Sequence, residues 1–371
     1  MRVSFMELGS SVTECRSEIN SVIERVLDSG HFLMGQEVEI FERKWAARLA
    51  SDYCIGVANG LDAIRLALEA HGVQRGDEVI VPAHTFIATW LAVSQIGAIP
   101  VPVDVYMETG LMDVNKISDA ISPKTKAIVP VHLYGQMANM DMINLIARNH
   151  GLIVIEDAAQ AHGARQNGEC VGRQGNTVAW SFYPGKNLGA IADAGAITTS
   201  CREVKDRLSL LRNYGSVFKY KHEIRGWNSR MDELNAAVLS VKLGLLDDWN
   251  SRRRILAENY TKALRKTSLK LPIIENNNVS AWHLYVVRSK NRERITRELT
   301  ENGIGWGCHY PAPPHLQPAY SELNYKLGAF PFTEELSRTC FSLPLHPHLT
   351  ESDQEIVISS LLAIMQKLDC A

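Results

Sequence analysis

Four short apolar runs, at residues 78–82, 99–101, 127–131 and 152–155, recur along the chain with helical patterns between several of them, as at 89–96 and 140–150. Strands that read as unbroken apolar runs are buried on both faces, and their alternation with helices predicts a mostly parallel sheet flanked by helices. That architecture also dictates where chemistry sits, because ligands bind beyond the carboxyl ends of the strands. Four places fall at such ends: Thr85 with Phe86, His132, Glu156 and Asp157 with Gln160, and the loop 181–186. No Gly-x-Gly-x-x-Gly follows any of these strands, so a dinucleotide fold has little support.

Upstream, residues 13–49 carry a helical pattern with Ile19, Val22, Ile23 and Val26 on one face, a break at Gly30 and Gly35, and then Val38, Phe41, Trp45 and Leu49. This predicts an arm feeding the domain. The run 53–57 is a further strand, and Asn59-Gly60 turns it into a helix with Leu61, Ile64 and Leu68 on one side. Backbone N–H groups at such a helix start have no intrahelical partners and suit a phosphate, although a plain strand-to-helix connection has the same pattern. Downstream come a strand at 194–199, a helix at 204–211 and a polar, aromatic-studded loop at 214–227, long enough to be functional or to cross a subunit boundary. A long helix over 234–254 is expected to bridge to a second domain. The expected division is a large α/β domain with its N-terminal arm over 1–248 and a smaller C-terminal α+β domain over 249–371, with a strand at 282–287 and helices at 292–301 and 354–367.

A chain of 371 residues exceeds one small core, and a composition 46% hydrophobic and 22% charged is that of an ordinary globular enzyme. The formal charge of -2 argues against a nucleic-acid or anionic-membrane surface and leaves small molecules as the expected partners. Without an N-terminal basic and apolar leader or a run long enough to span a bilayer, the expected location is cytoplasmic. Seven scattered cysteines form no Cys-x-x-Cys pair or zinc-like grouping, so no metal is expected and buried free thiols are the default.

The run 178–182 is stopped by Pro184-Gly185, which puts Lys186 on a tight loop at a strand's end. A lysine there can hold a carbonyl cofactor as a Schiff base, but an amine of pKa ~10.4 needs a desolvated pocket or a nearby charge to react at neutral pH. Taken alone, a lysine on a loop reads as a solvated surface group, so the functional reading has to come from what surrounds it. Lysine-linked pyridoxal phosphate further requires an acidic partner for its ring nitrogen, a phosphate cup and a plate on the ring face. Asp157 can supply the first, or can simply cap the next helix. Gln160 can reach the ring hydroxyl or face solvent; Ser181 and the amides of Gly60 and Leu61 can hold phosphate. Phe86 can stack on the ring or lie in the core.

Together the segments 58–64, 82–89, 131–135 and 156–164 and the Lys186 loop resemble the DegT/DnrJ/StrS sugar aminotransferases, over about Leu8 to the C-terminus. The resemblance implies a fold-type I, pyridoxal 5'-phosphate-dependent homodimer with shared active sites. Lys186 is then the Schiff-base lysine, Asp157 pairs with the ring nitrogen, and Ser181 binds phosphate. Asn228, in Gly-Trp-Asn-Ser-Arg at 226–230, is implied to reach the phosphate of the neighbouring subunit. Leu61 stands where the family often has Thr or Ser, and Ala192 and Ala194 replace common glycines. Relatives that dehydrate sugars carry histidine at the position of Lys186, so lysine favours amino transfer. The segment 309–320 resembles members that aminate C3 of nucleotide-linked 3-keto-6-deoxyhexoses, which places His309, Tyr310 and Tyr183 in the sugar pocket with Lys219 and Tyr220 from the partner. The expected reaction moves an amino group from L-glutamate to a dTDP-linked 3-keto sugar, giving a 3-amino-3,6-dideoxyhexose for surface polysaccharide or glycoside biosynthesis. The alternatives are a 4-keto sugar aminotransferase, a sugar dehydratase of the same fold, and a sugar-binding or regulatory protein without catalysis.

Overall fold

The computed structural model describes residues 2–369. Its centre is a seven-stranded sheet built from β1 (Tyr53–Val57), β2 (Glu78–Pro82), β3 (Ile99–Val103), β4 (Thr125–Ile128), β5 (Ile153–Asp157), β6 (Thr177–Ser181) and β7 (Gly195–Thr199), in the order β1-β7-β6-β5-β4-β2-β3. Only β7 runs against its two neighbours; the other strands share one direction. The mostly parallel sheet is therefore as expected, with one reversed strand that apolar periodicity could not reveal.

Unbroken apolar runs follow from burial on both faces. Within β2, Ile80 packs with Phe41, Trp45 and Trp180 on one side, and Val79 and Val81 pack with Ile64, Leu68 and Trp90 on the other. The expected strand at 127–131 stops at Ile128, since Pro130 has no N–H to give to a ladder. Val131 then returns as an isolated bridge beside Asp157, and this keeps the loop over the carboxyl end of β5. The covering helices are α1 (Arg16–Ser29), α2 (Gln36–Leu49), α3 (Gly60–Ala70), α4 (Ala88–Gln95), α5 (Met140–His150), α6 (Arg202–Leu211), α7 (Glu233–Lys242) and α8 (Leu246–Leu264). The single helix expected over 234–254 is thus two helices, joined by a 3-10 turn at Leu243–Leu245 around Gly244, the weakest helix former in the stretch.

A further core gathers Leu256, Tyr260 and Leu264 of α8 against β8 (Tyr285–Arg288), α9 (Arg292–Glu301), β9 (Cys340–Leu343) and α11 (Glu351–Asp369). Val3 joins this core and bridges Ile304, so the first residues lie against the last part of the chain. Between α9 and β9 lies α10 (Pro331–Thr339), whose first turn is held by Asp104 through the N–H of Thr333 at 2.9 Å and its hydroxyl at 2.8 Å. Cys15, Cys54 and Cys340 are buried free thiols, whereas Cys201 is exposed at the start of α6, where no core covers it. Cys370 lies outside the described residues.

Candidate active site

A cavity of about 780 Å³ opens over the carboxyl ends of the parallel strands. It is lined by Lys186, Asp157, Gln160, Ser181, Gly60, Leu61 and Phe86, together with Tyr183, His309 and Tyr310. This brings together every residue singled out for cofactor or sugar except Asn228, Lys219 and Tyr220. Those three lie outside it, on the exposed stretch that includes the hairpin Ser216–Phe218 and Lys221–His222. His132 and Glu156 turn inward instead, the ring Nε2 lying 2.8 Å from the buried carboxylate.

Asp157 ends β5 with 5% of its surface exposed. Its Oδ2 accepts the Thr89 hydroxyl at 2.9 Å and its Oδ1 accepts the Ala159 N–H at 3.1 Å. Desolvation still raises its pKa, with the Ala159 N–H, the Thr89 hydroxyl and the charge of Lys186 opposing that rise. Among the described residues it makes no ion pair within 4.0 Å. A carboxylate raised in this way gains from a charged N–H donor placed opposite it, and a protonated pyridine nitrogen is such a donor.

Lys186 follows the tight turn, its N–H donating to the Tyr183 carbonyl at 2.8 Å. Desolvation brings its amine down to about 8, against the opposing attraction of Asp157. About a tenth of the amine is therefore free of its proton at pH 7, far more than for an exposed lysine, and this is the form that attacks a carbonyl.

The third corner is an anion cup. Asn59 caps α3 by accepting the Asp62 N–H at 2.8 Å, which leaves the N–H groups of Gly60 and Leu61 without intrahelical partners. Gly60 is required by space: a Cβ there would stand 2.5 Å from Cβ of Ser181. Ser181 Oγ accepts the Tyr183 N–H at 3.4 Å and keeps its own proton for a ligand. The helix start, two free amides and a hydroxyl together suit a phosphate, so the residues present fit pyridoxal 5'-phosphate at all three points.

The opposite wall is aromatic and firmly tied. Gln160 accepts the Tyr134 N–H at 2.7 Å and donates to the Tyr310 hydroxyl at 3.0 Å. The Tyr134 hydroxyl donates to the His309 carbonyl and receives His84 Nε2 at 2.7 Å. Desolvation, with the charge on Lys186, holds His309 at about 4, so its ring is neutral at physiological pH. Phe86 is 54% exposed and lies 5.5 Å from the Tyr310 ring, which removes it from the core.

Sequence reasoning missed Thr89, Met6, Asp193 and His283, all in the cavity wall. Thr89 stands in the segment 82–89 and follows Phe86 by one helical turn, a spacing that could have marked it. Nothing local marks Met6 or His283, because tertiary packing alone brings them here.

The sequence profile of the DegT/DnrJ/EryC1/StrS aminotransferase family matches residues 13–362. The chain is 49% identical over 364 residues to the erythromycin biosynthesis sensory transduction protein EryC1 of Saccharopolyspora erythraea, covering 98% of this chain and 100% of that protein. It is 47% identical over 359 residues to the dTDP-3-amino-3,6-dideoxy-alpha-D-galactopyranose transaminase of Aneurinibacillus thermoaerophilus, covering 97% and 98%. The crystal structure of S. venezuelae DesV in complex with a ketimine intermediate superposes with a TM-score of 0.96 at 45% identity, over 98% of each chain. This chain belongs to the DegT/DnrJ/EryC1/StrS aminotransferase family.

Proposed function

We propose that the protein transfers an amino group from L-glutamate to C3 of a dTDP-linked 3-keto-6-deoxyhexose with pyridoxal 5'-phosphate as cofactor. The observation that carries this reading is the meeting of Lys186 and Asp157 in one cavity beside the Gly60–Ser181 anion cup. Bound there, the cofactor supplies a carbonyl that exchanges amines and a ring that takes up the electrons of a broken C–H bond. The chain's residues have separate tasks. Lys186 anchors the cofactor, and once displaced by glutamate its free amine carries the proton away from Cα and returns it on the cofactor side. Asp157 keeps the ring nitrogen protonated. Ser181 with the amides of Gly60 and Leu61 holds the phosphate, Phe86 covers the ring, and Gln160 faces the ring hydroxyl.

The sugar end is assigned to Tyr183, His309 and Tyr310, with Lys219 and Tyr220 from a second copy in a homodimer, whose Asn228 completes the phosphate site. Support for the 3-keto substrate comes from the transaminase of A. thermoaerophilus, whose name specifies a dTDP-linked 3-amino-3,6-dideoxyhexose. The same reading divides the chain into 1–248 and 249–371, supported by the separate core around Leu256 and Tyr285, and places the enzyme in the cytoplasm.

Lys186→Ala tests the assignment. The variant is expected to lose at least about a thousandfold in turnover and to leave no borohydride-trapped adduct at position 186, while the unaltered protein gives one. Full activity in Lys186→Ala sinks the proposal. Product mass separates the chemistry: an amino sugar supports transfer, and a keto sugar released without nitrogen supports dehydration.

A further inference from the structure

Tyr134 stands in an unfavourable backbone position. Its φ of 59° lies in the left-handed region, where a residue with a Cβ is crowded, and Gly135 follows with a φ of 105°. The turn is pinned from outside: the Ala281 N–H donates to the Gly135 carbonyl at 2.8 Å and the Leu284 N–H to the Tyr134 carbonyl at 3.4 Å. Strain of this kind persists only where the surroundings overdetermine it, and it gathers at ligand sites.

The strained residue aims two groups in different directions. Its N–H donates to Gln160 Oε1 at 2.7 Å, and this commits the amide, so that Nε2 faces Tyr310 and donates to the hydroxyl at 3.0 Å. Tyr310 Oη is then an acceptor in that bond, and its own proton is left over. Among the described residues it has no other hydrogen-bond partner, and Tyr310 lines the cavity. At its far end the Tyr134 hydroxyl donates to the His309 carbonyl, which can only accept, and therefore takes a proton from His84 Nε2 at 2.7 Å. His84 fits that part: desolvation brings it down to about 4, so the buried ring is neutral, and Nδ1 has no partner among the described residues. His309 is thus held at its carbonyl by Tyr134, at Nδ1 by the Ser342 hydroxyl 2.8 Å away, and on its face by the stacked ring of Phe5.

We infer that Tyr134 is a positioning residue for the sugar half of the reaction: its hydroxyl fixes the backbone that carries His309 and Tyr310, and its N–H, acting through Gln160, leaves the Tyr310 proton for an acceptor oxygen of the sugar. The inference rests on the assignment of His309 and Tyr310 to the sugar end. One residue then sets both the place and the hydrogen-bonding sense of that wall, without lining the cavity beside Lys186 itself.

The two halves of an amino transfer can be measured apart, and this supplies the test. Tyr134→Phe keeps the N–H to Gln160 and removes the hydroxyl. The glutamate half, followed by cofactor absorbance with no sugar present, is expected to stay within about twofold of the unaltered protein. Binding of a dTDP-linked 3-amino-3,6-dideoxyhexose to the apo-protein, measured by calorimetry, should weaken about five- to tenfold, and sugar KM should rise to match, as expected for the loss of one hydrogen bond. Tyr310→Phe should weaken the same two quantities, and the double variant should lose less than the product of the two, because both changes act on one contact. An unchanged sugar Kd in Tyr134→Phe overturns the inference, and so does an equal fall in both halves, which marks a general structural role. Should Tyr134→Phe fail to fold, Tyr310→Phe decides: an unchanged sugar Kd there leaves Tyr134 no donor to position. If the unaltered protein passes the glutamate half but does not bind the sugar, the sugar assignment fails and this inference falls with it.

Discussion

The cavity floor and the 216–222 hairpin are built on opposite principles. On the floor Asp157 and Gln160 are buried, Ser181 is half-buried, and each is tied to another group: Asp157 to Thr89 and Ala159, Gln160 to Tyr134 and Tyr310, Ser181 to Tyr183. The hairpin is tied only to its own surroundings, as where His222 Nδ1 lies 2.9 Å from the Tyr214 carbonyl, and its side chains stand in the open. Tyr220 is 83% exposed and Phe218 68%, and the Lys219 amine lies 5.3 Å from the Tyr220 ring centre. A group that must hold the same charge and position through every turnover is placed where packing fixes it, at a cost in desolvation. A group that chooses among related sugars can stand on the periphery, where change leaves the core alone.

The contrast predicts a graded response to substitution. Lys186→Ala is expected to have the largest effect, the loss of turnover and adduct described above. Asp157→Asn keeps the shape of the site but removes the charge, and kcat should fall about a hundredfold or more with the fold intact by circular dichroism. Gly60→Ala drives a methyl group into Ser181, and the cofactor Kd should rise at least about tenfold in a fluorescence titration. The apo-protein should take up the cofactor at Lys186 about tenfold faster per pH unit below 8 and level off above it, because only the deprotonated amine attacks. A rate independent of pH between 6.5 and 8 would show that the amine is not the titrating nucleophile. Tyr220→Ala should be mildest, a rise in sugar KM of about three- to tenfold with stability within about 0.5 kcal/mol and an unchanged cofactor spectrum. If Tyr220→Ala disturbs the spectrum as much as Gly60→Ala does, the distinction between floor and hairpin fails.

Much of this organisation was legible in the chain. Apolar runs and their flanks located the strands, and strand ends located Asp157, Gln160 and Lys186, because burial on both faces and the chain's exit from the sheet leave local marks. Direction leaves none: β7 reads like its neighbours although it runs the other way. The break at Gly244 competes with an otherwise helical pattern, so a continuous helix was the natural expectation. His283 and Met6 were invisible for a different reason. Each borders the cavity through contacts with residues about a hundred or more positions away, and no short segment encodes such a meeting.

The long helix α8 links the neighbourhood of the cavity to the core around Tyr285. Near its start Asn250 grips Asn187, the residue next to the reactive lysine, and less than two turns later Leu256 begins the side that enters the other core. A rigid rod clamped at both ends transmits rotation rather than absorbing it. Displacement of the C-terminal core is therefore expected to register as a change in cofactor absorbance, so that a substitution such as Leu264→Ala, with no contact to the cavity, can be read spectroscopically at Lys186.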